Sequence, residues 1–330
     1  MTEKRRGNAK GAEGVADDRD PLTRAKEKSV LHAYRAATWT LGHAPREASW
    51  EVGAVLAQTT YVAWPARRRA TRSSFARVLG TVPTDPRVDR LSRRMYRNYA
   101  RYVVELMRLP SLAPGELASL TDLSAADELE ALRSMDRGVI IVGAHIGHNE
   151  AGAAAVAGRG WPISVIADDG EFRELFEHLK AQRESWGVRI IPWKSLRELF
   201  GALRRREMVG MLVDWGYKGD GVPVRLFGEW TTLPAGPAVL AAKTGAVIGL
   251  LTTRMTRDGR FVGDYGGSVE VASTEPAEIA RATQAIADAV EVAIRRSPDQ
   301  WWVFKPMWPE TDEERAALLA RLPEYGLDAG

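Results

Sequence analysis

Residues 143–152, GAHIGHNEAG, contain side chains suited to acid–base catalysis: His145 and, five positions later, Glu150. An imidazole has an ordinary pKa near neutrality, so it can accept a proton from a hydroxyl at physiological pH. A carboxylate on its second ring nitrogen would fix the tautomer and stabilise the imidazolium. We therefore predict that His145 is a general base and Glu150 its orienting carboxylate. The alternative is a histidine that caps a strand beside an acid favoured by a helix dipole.

A buried strand and a helix are predicted on either side of His145. Residues 138–144, GVIIVGA, form a continuous apolar run typical of a strand buried on both faces. The alanine-rich stretch 149–158 predicts a helix. His145 would then lie at the carboxyl end of a strand, where open α/β sheets bind ligands. The amides at the start of the helix would favour a phosphate or a developing oxyanion.

The rest of the core alternates in the same way, which predicts an α/β fold with a mainly parallel sheet covered by helices on both faces. Further buried strands are predicted at 162–167, 188–192, 208–214 and 246–253, with helices at 171–186, 195–206, 234–243 and 276–296. Ser124 is a candidate N-cap for a helix before the first strand. Asp258 and Gly259 predict a turn into an antiparallel edge strand at 260–265, and 215–228 is predicted to be a glycine-rich loop.

An N-terminal arm, residues 31–115, is predicted to be all-helical, with breaks at prolines and glycines. Between positions 67 and 108 it has twelve arginines against three acidic residues. Such a surface could bind nucleic acid or an anionic membrane leaflet. Four aromatic residues at or before this block favour the membrane: Trp39, Trp50, Tyr61 and Trp64. The alternative is a solvated arginine-rich helix docked on the core.

Composition excludes several other classes of protein. The absence of cysteine excludes disulfides, thiolate zinc sites and a cysteine nucleophile. The longest uncharged stretch of the arm, 52–66, is shorter than the ~20 apolar residues of a spanning helix. Residues 1–30 predict a disordered polar tail without a secretory signal, and 311–330 a C-terminal tail, which leaves 116–310 as the α/β core.

Four segments resemble the family of bacterial lipid A and phosphatidylinositol mannoside acyltransferases. The spacing of His145 and Glu150 resembles its His-x-x-x-x-Asp/Glu motif. Residues 214–249, DWGYKGDGVPVRLFGEWTTLPAGPAVLAAKTGAVIG, resemble its Asp at a strand end, its Gly-Val-x-Val-x-Phe-Phe-Gly-like segment, and its Pro-x-Gly-Pro-Ala and Thr-Gly-Ala sequences. Residues 97–110 and 297–304 are similar to its outer landmarks, so the resemblance covers roughly 31–310.

The resemblance implies a fatty acyl chain moved from acyl-CoA or acyl carrier protein to a hydroxyl of a membrane glycolipid. It implies peripheral association with the cytoplasmic face of the inner membrane, and neither a metal nor a redox cofactor nor a nucleic acid partner. The positions that it assigns to substrate binding are Gly147, His148, Asn149, Asp168, Arg183, Asp214, Gly228, Glu229, Pro234 and Gly236. The aromatic residues Trp301, Trp302, Phe304 and Trp308 are interpreted as an apolar wall near the acyl-chain channel.

Two departures from the family pattern concern the acceptor. Gly147-His148-Asn149 replaces the usual Gly-Asn-Trp, and Asp214-Trp215-Gly216 replaces Asp-Arg-Asp. They keep two other hypotheses open: a catalytically inactive lipid-binding homologue, and a metal-dependent hydrolase using His145, His148 and Glu150.

Overall fold

The computed structural model describes residues 21–112, 114–167 and 172–328. Its α-helices are α1 (Pro21–His43), α2 (Arg46–Ala63), α3 (Pro65–Val78), α4 (Pro86–Arg108), α5 (Pro114–Leu120), α6 (Ala126–Arg133), α7 (Asn149–Gly158), α8 (Arg173–Ser185), α9 (Leu196–Arg204), α10 (Gly236–Thr244), α11 (Pro276–Arg296) and α12 (Asp312–Ala320). Its strands are β1 (Thr121–Asp122), β2 (Val139–Gly143), β3 (Ile163–Ala167), β4 (Val188–Pro192), β5 (Met208–Leu212), β6 (Val222–Leu226), β7 (Glu229–Leu233), β8 (Val247–Met255) and β9 (Phe261–Val269).

The central sheet has seven strands in the order β1-β9-β8-β2-β5-β3-β4. Strands β8, β2, β5, β3 and β4 are parallel, whereas β9 runs antiparallel to β8. The predicted α/β class and mainly parallel sheet are therefore confirmed. Strands β2 and β5 are parallel neighbours near the middle of the sheet. Their carboxyl ends therefore lie side by side.

Helices cover both faces of the sheet, as the burial of β2 shows. Ile140 and Val142 pack into one core cluster with residues of α9, α10 and α11. Val139 and Ile141 pack on the other face with residues of α6 and α7. Since successive strand residues point to opposite faces, a strand buried on both sides must be apolar throughout.

The arm consists of α1 to α4, with the breaks that the sequence predicts. Asp85 caps α4 by accepting a hydrogen bond from the Arg87 amide, and Pro86 occupies the first turn. Helix α1 begins at Pro21, so the described part of the predicted tail, 21–30, is helical instead. No helix in the described part of the chain is long and apolar enough to span a bilayer.

A buried carboxylate, Glu105, fastens α4 to α2 and to the core. It accepts a hydrogen bond from Trp50 Nε1 at 2.7 Å and from both Arg46 Nε and Arg46 Nη2, at 2.9 and 2.8 Å. Arg46 also donates to the Gly259 carbonyl, in the turn between β8 and β9, at 2.7 Å. The arm is thus held on the sheet by a hydrogen-bonded ion pair.

Three local predictions were wrong. Ser124 does not cap α6, because its hydroxyl donates to the Gly263 carbonyl. The predicted loop 215–228 contains β6, which forms a separate antiparallel hairpin with β7. Strand β9 is not at the sheet edge, because the two-residue β1 pairs outside it. The predicted C-terminal tail contains α12, whose start has a capping box of Thr311 and Glu314.

Candidate active site

His145 and Asp214 lie side by side at the carboxyl edge of the sheet. Gly143 of β2 pairs with Leu212 of β5, so residues two positions beyond each strand end meet in space. His145 Nδ1 is 2.7 Å from Asp214 Oδ1, and the His145 backbone amide lies 2.9 Å from both carboxylate oxygens. One carboxylate therefore holds both the ring and the main chain of the histidine.

The Asp214 carboxylate is buried but fully supported. Its side chain is 1% exposed, and Trp301 Nε1 donates a hydrogen bond to its second oxygen at 2.8 Å. Burial alone would raise the pKa of Asp214, but the His145 charge and these donors outweigh it and lower the pKa. Asp214 is therefore an anion that accepts the Nδ1 proton of His145, which leaves Nε2 as the basic atom.

The electrostatics favour a base that can hold a proton during a reaction. Burial would lower the pKa of His145, but the negative charge and hydrogen bond of Asp214 prevail, so the pKa lies above its ordinary value of 6.5. The side chain is 27% exposed and borders an internal cavity. Its geometry is that of a histidine whose tautomer is fixed by an acid and whose free nitrogen is accessible.

Glu150 is not the carboxylate that orients His145, which corrects the predicted pairing. In the first turn of α7, Glu150 contacts Arg183 Nη2 at 3.3 Å and the Tyr102 hydroxyl at 3.3 and 3.4 Å. Its negative charge still contributes to the raised pKa of His145. Burial would raise the pKa of Glu150 itself, but the positive charge and hydrogen bond of Arg183 lower it. Glu150 is a second anion in the same pocket.

His148 caps a helix, which is a role that the sequence did not predict. It is the N-cap of α7, where its Nδ1 accepts a hydrogen bond from the Ala151 amide at 3.3 Å. The ring is fully buried against Tyr102 and Phe261, and burial lowers its pKa. With Nδ1 accepting from an amide, His148 is a neutral capping group, and His145, His148 and Glu150 do not form a metal-ligand cluster within the described residues.

Residues 300–302 hold the loop after β2 in place. Trp302 donates from its backbone amide to the His145 carbonyl at 2.7 Å and from Nε1 to the Gly147 carbonyl at 2.8 Å. The Gly147 amide donates to the Gln300 carbonyl at 2.9 Å. Gly147 has a φ of +60°, and a Cβ there would collide with the Thr253 carbonyl oxygen. Only glycine fits this position, so the fold itself requires Gly147. Its observed contacts are with other parts of the protein.

Trp301 was interpreted from sequence as part of an apolar wall, but it is also a hydrogen-bond donor to the site. A buried indole N–H usually finds a partner, and this was the signal that could have linked the 301–302 pair to a buried acid. Trp302 does line the cavity beside His145, as the interpretation expected.

A cavity of about 320 Å³ extends from His145 between the sheet and α7. Near His145 it is bordered by Asn149, Glu150 and Arg183, and beyond them its walls are almost entirely apolar. It reaches the opposite ends of the strands, where it is lined by Val156, Ile163, Trp186 and Val188. An extended hydrocarbon chain beginning at His145 has room there, because Gly143, Gly152 and Gly210 contribute no side chains.

Some of the remaining predicted substrate-binding residues lie at the cavity, and others lie away from it. Asn149 and Arg183 line the cavity, whereas Gly228, Glu229, Pro234 and Gly236 do not. Gly228 is in the turn between β6 and β7, with a φ of +79°, and Glu229 is paired with Arg77 at 3.3 Å. Pro234 follows the last residue of β7, and Gly236 is the first residue of α10. Asp168 lies outside the described residues.

The sequence matches known acyltransferases over most of its length. The family model described as bacterial lipid A biosynthesis acyltransferase matches residues 18–310, and the chain belongs to this family. The predicted resemblance is therefore confirmed, and the protein is an enzyme that transfers acyl groups.

Two relatives share the same name, phosphatidylinositol mannoside acyltransferase. The one from Mycolicibacterium smegmatis is 31% identical over 274 residues, which cover 81% of this chain and 88% of the relative. The one from Mycobacterium tuberculosis is 28% identical over 322 residues, which cover 94% and 98%.

Proposed function

We propose that the enzyme transfers a fatty acyl group from acyl-CoA or acyl carrier protein to a hydroxyl of a mannosylated phosphatidylinositol. The main observation that supports this reaction is the His145–Asp214 pair, which lies at an apolar cavity. The names of the two relatives support the acceptor. The same geometry disfavours the inactive-homologue hypothesis, since a base with a fixed tautomer and an accessible nitrogen serves no purpose in a passive binder.

In this mechanism His145 Nε2 removes the proton from the acceptor hydroxyl. The hydroxyl oxygen forms a bond to the thioester carbonyl carbon, and the carbonyl oxygen becomes an oxyanion. Collapse of this intermediate re-forms the carbonyl and breaks the carbon–sulfur bond, and the imidazolium returns its proton to the leaving thiolate. Asp214 remains ionised throughout and stabilises the imidazolium.

The start of α7 is suited to stabilise the oxyanion. The Ala151 and Gly152 amides are already used by His148, as donors to its Nδ1 and to its carbonyl. The Asn149 amide precedes them at the positive end of the helix dipole, and Asn149 borders the cavity, whereas the Glu150 amide interacts with its own carboxylate. We assign the oxyanion to this position and the donor acyl chain to the apolar cavity beyond it.

The test is thioester transfer by purified protein with a radiolabelled acyl thioester and a mannosylated phosphatidylinositol. We expect wild-type enzyme to form the acylated lipid and His145→Ala to lose about 100- to 10,000-fold of kcat/KM, which is the contribution of positioned acid–base catalysis. Near-normal transfer by His145→Ala would overturn the mechanism. Absence of any thioester consumption by wild-type protein would favour a lipid-binding homologue instead.

We also propose that the protein acts on the anionic cytoplasmic surface of the inner membrane, through its arm. Large apolar side chains of α1, α2 and the α2–α3 junction are exposed, and they are Trp39, Val52, Val55, Leu56, Val62 and Trp64. Arg67 of α3 lies 4.1 Å from the Trp64 ring, and Arg93 of α4 contacts Gln58 of α2. Apolar side chains beside cations are typical of peripheral membrane binding.

A further inference from the structure

A second apolar space, distinct from the His145 cavity, lies in the arm. It is a groove of about 530 Å³ between α1, α2 and α4, and Phe304 also lines it. Its walls are mainly apolar and include Leu41, Val52, Leu56 and Val104. Val52 and Leu56 are each 63% exposed, so the groove opens on the apolar surface that we assign to the membrane.

Aromatic side chains separate this groove from the His145 cavity. Tyr99 lines the groove, and its ring lies 5.6 Å from both Tyr102 and Trp302, which line the cavity. Phe304, in the groove, lies 4.8 Å from Tyr99. The two apolar spaces therefore lie back to back across one layer of rings.

Three exposed cations without carboxylate partners among the described residues lie near one another beside the groove: Arg67, Lys218 and Lys305. Arg67 lines the groove, with its guanidinium 4.1 Å from the Trp64 ring and 5.8 Å from the Phe304 ring. Lys305 Nζ lies 3.9 Å from the Trp215 ring, which in turn lies 5.3 Å from the His145 ring.

The positive charges of these residues are close enough to affect the pKa of Lys305. Partial burial, together with the positive charges of Lys218 and Arg67, lowers the pKa of Lys305 below its ordinary value of 10.5. Lys305 also opposes protonation of His145. Positive charges gathered on one exposed face attract an anion.

We propose that the groove between α1, α2 and α4 binds an acyl chain that the acceptor phospholipid already carries, while Arg67, Lys218 and Lys305 bind its phosphate. This inference rests on the proposed function. The groove supplies an apolar path from the membrane surface, and the cations beside it supply a charge complementary to phosphate. Trp215 lies between Lys305 and His145. A lipid anchored at both points would present its sugar to His145 Nε2.

The donor and acceptor chains would then occupy different spaces. The donor chain lies in the cavity behind His145, and the acceptor chain lies across the Tyr99–Trp302 layer in the groove. Neither chain has to leave before the other binds, so both substrates can be present when the proton is transferred.

The first experiment measures transfer to two acceptors in detergent: a dipalmitoyl mannosylated phosphatidylinositol and a water-soluble methyl mannoside. We expect Ala48→Trp, which fills the groove from an exposed wall position, to raise KM for the lipid about tenfold or more and to leave the mannoside unaffected. Thr59→Trp, an exposed position of α2 outside the groove, is the matched control. Equal effects of the two variants, or equal effects on both acceptors, would overturn the assignment.

The phosphate site is tested with the same pair of acceptors. Arg67→Gln and Lys218→Gln should each raise KM for the phospholipid by about tenfold, as expected for a lost charged hydrogen bond, with unchanged transfer to the mannoside. Arg69→Gln, on the same helix and without an ion pair in the described residues, is the control. An equal loss with acyl-CoA varied at saturating mannoside would place these cations on the donor and contradict the proposal.

A binding measurement separates this inference from the proposed function. Phosphatidylinositol with a diazirine in one acyl chain is irradiated with the full-length protein, and labelled peptides are identified by mass spectrometry. We expect labels in α2 and α4, within 46–63 and 86–108, that Ala48→Trp removes. Such labelling without any transfer activity would refute the proposed reaction alone, whereas active enzyme labelled only around 149–167 would refute the groove alone.

Discussion

At the scale of single residues, the distinguishing feature is a histidine held by one buried carboxylate at two points. Asp214 accepts hydrogen bonds from the ring and from the backbone amide of His145, and Trp301 supports its second oxygen. Such an arrangement fixes which nitrogen is basic before substrate arrives, so no reorganisation is needed during the proton transfer.

The first prediction distinguishes the two acids near His145. Asp214→Asn removes the charge that stabilises the imidazolium, so we expect kcat to fall on the order of 10²- to 10⁴-fold. Glu150→Gln, which keeps a polar partner for Arg183 and Tyr102, should cost a smaller factor. Steady-state kinetics and circular dichroism of both variants provide the measurement. A larger loss for Glu150→Gln would restore the pairing predicted from sequence.

The second prediction concerns pH. His145 must be neutral to accept a proton, and Asp214 holds its pKa above 6.5, so kcat/KM should rise with pH through an apparent pKa above that value. In Asp214→Asn the negative charge that favours the imidazolium is absent, and the acidic limb should move to lower pH. Full pH profiles of both proteins test this, and an unmoved limb would assign the titration to another group.

At the scale of elements, sequence predicted most of the core because each strand is buried on both faces. The continuous apolar runs and their glycine or proline ends located β2, β4 and β5 to within about two residues. The hairpin β6–β7 was missed because its glycines, Pro223 and short strands resemble a loop. The arm was predictable from proline breaks and helical spacing, although its first helix starts earlier than expected.

The pairing of His145 with Asp214 could not be predicted because it depends on strand order. The two residues are 69 positions apart and meet only because β5 inserts between β2 and β3. Glu150 was chosen instead since it is near in sequence, but at the start of α7 its side chain reaches Arg183 and Tyr102. Spacing along the chain led to His145 as the predicted base, whereas three-dimensional topology determines which carboxylate contacts its ring.

The third prediction concerns the attachment of the arm. Glu105→Ala leaves Arg46 and Trp50 without their buried partner, and breaking such a pair should lower the free energy of unfolding by about 3 kcal/mol. Urea denaturation measures this loss. The control Glu51→Ala, at an exposed position of α2, should stay within about 0.5 kcal/mol of wild type. Indistinguishable midpoints for the two variants would show that the network contributes little.

At the scale of the whole molecule, apolar and basic surfaces lie together on the arm. The fourth prediction is that wild-type protein co-sediments with anionic vesicles and that binding weakens as salt rises. Val55→Glu combined with Val62→Glu should weaken vesicle binding by at least about tenfold through lost apolar insertion.

The control for membrane binding is Val292→Glu, a similarly exposed valine on α11 of the core. It should bind vesicles as wild type does. Equal loss in all variants would indicate a general effect of added negative charge, and equal binding of wild type to neutral vesicles would remove the electrostatic contribution.

The position of the apolar cavity also bears on product length. The cavity follows the strands from their carboxyl ends towards their amino ends, and five residues at ~3.3 Å each give a depth of about 16 Å. Side chains at its far end, which include Val156 and Trp186, therefore set the longest hydrocarbon that it could enclose. In the proposed reaction, a bulky substitution at Val156 would shorten that limit and Trp186→Ala would extend it.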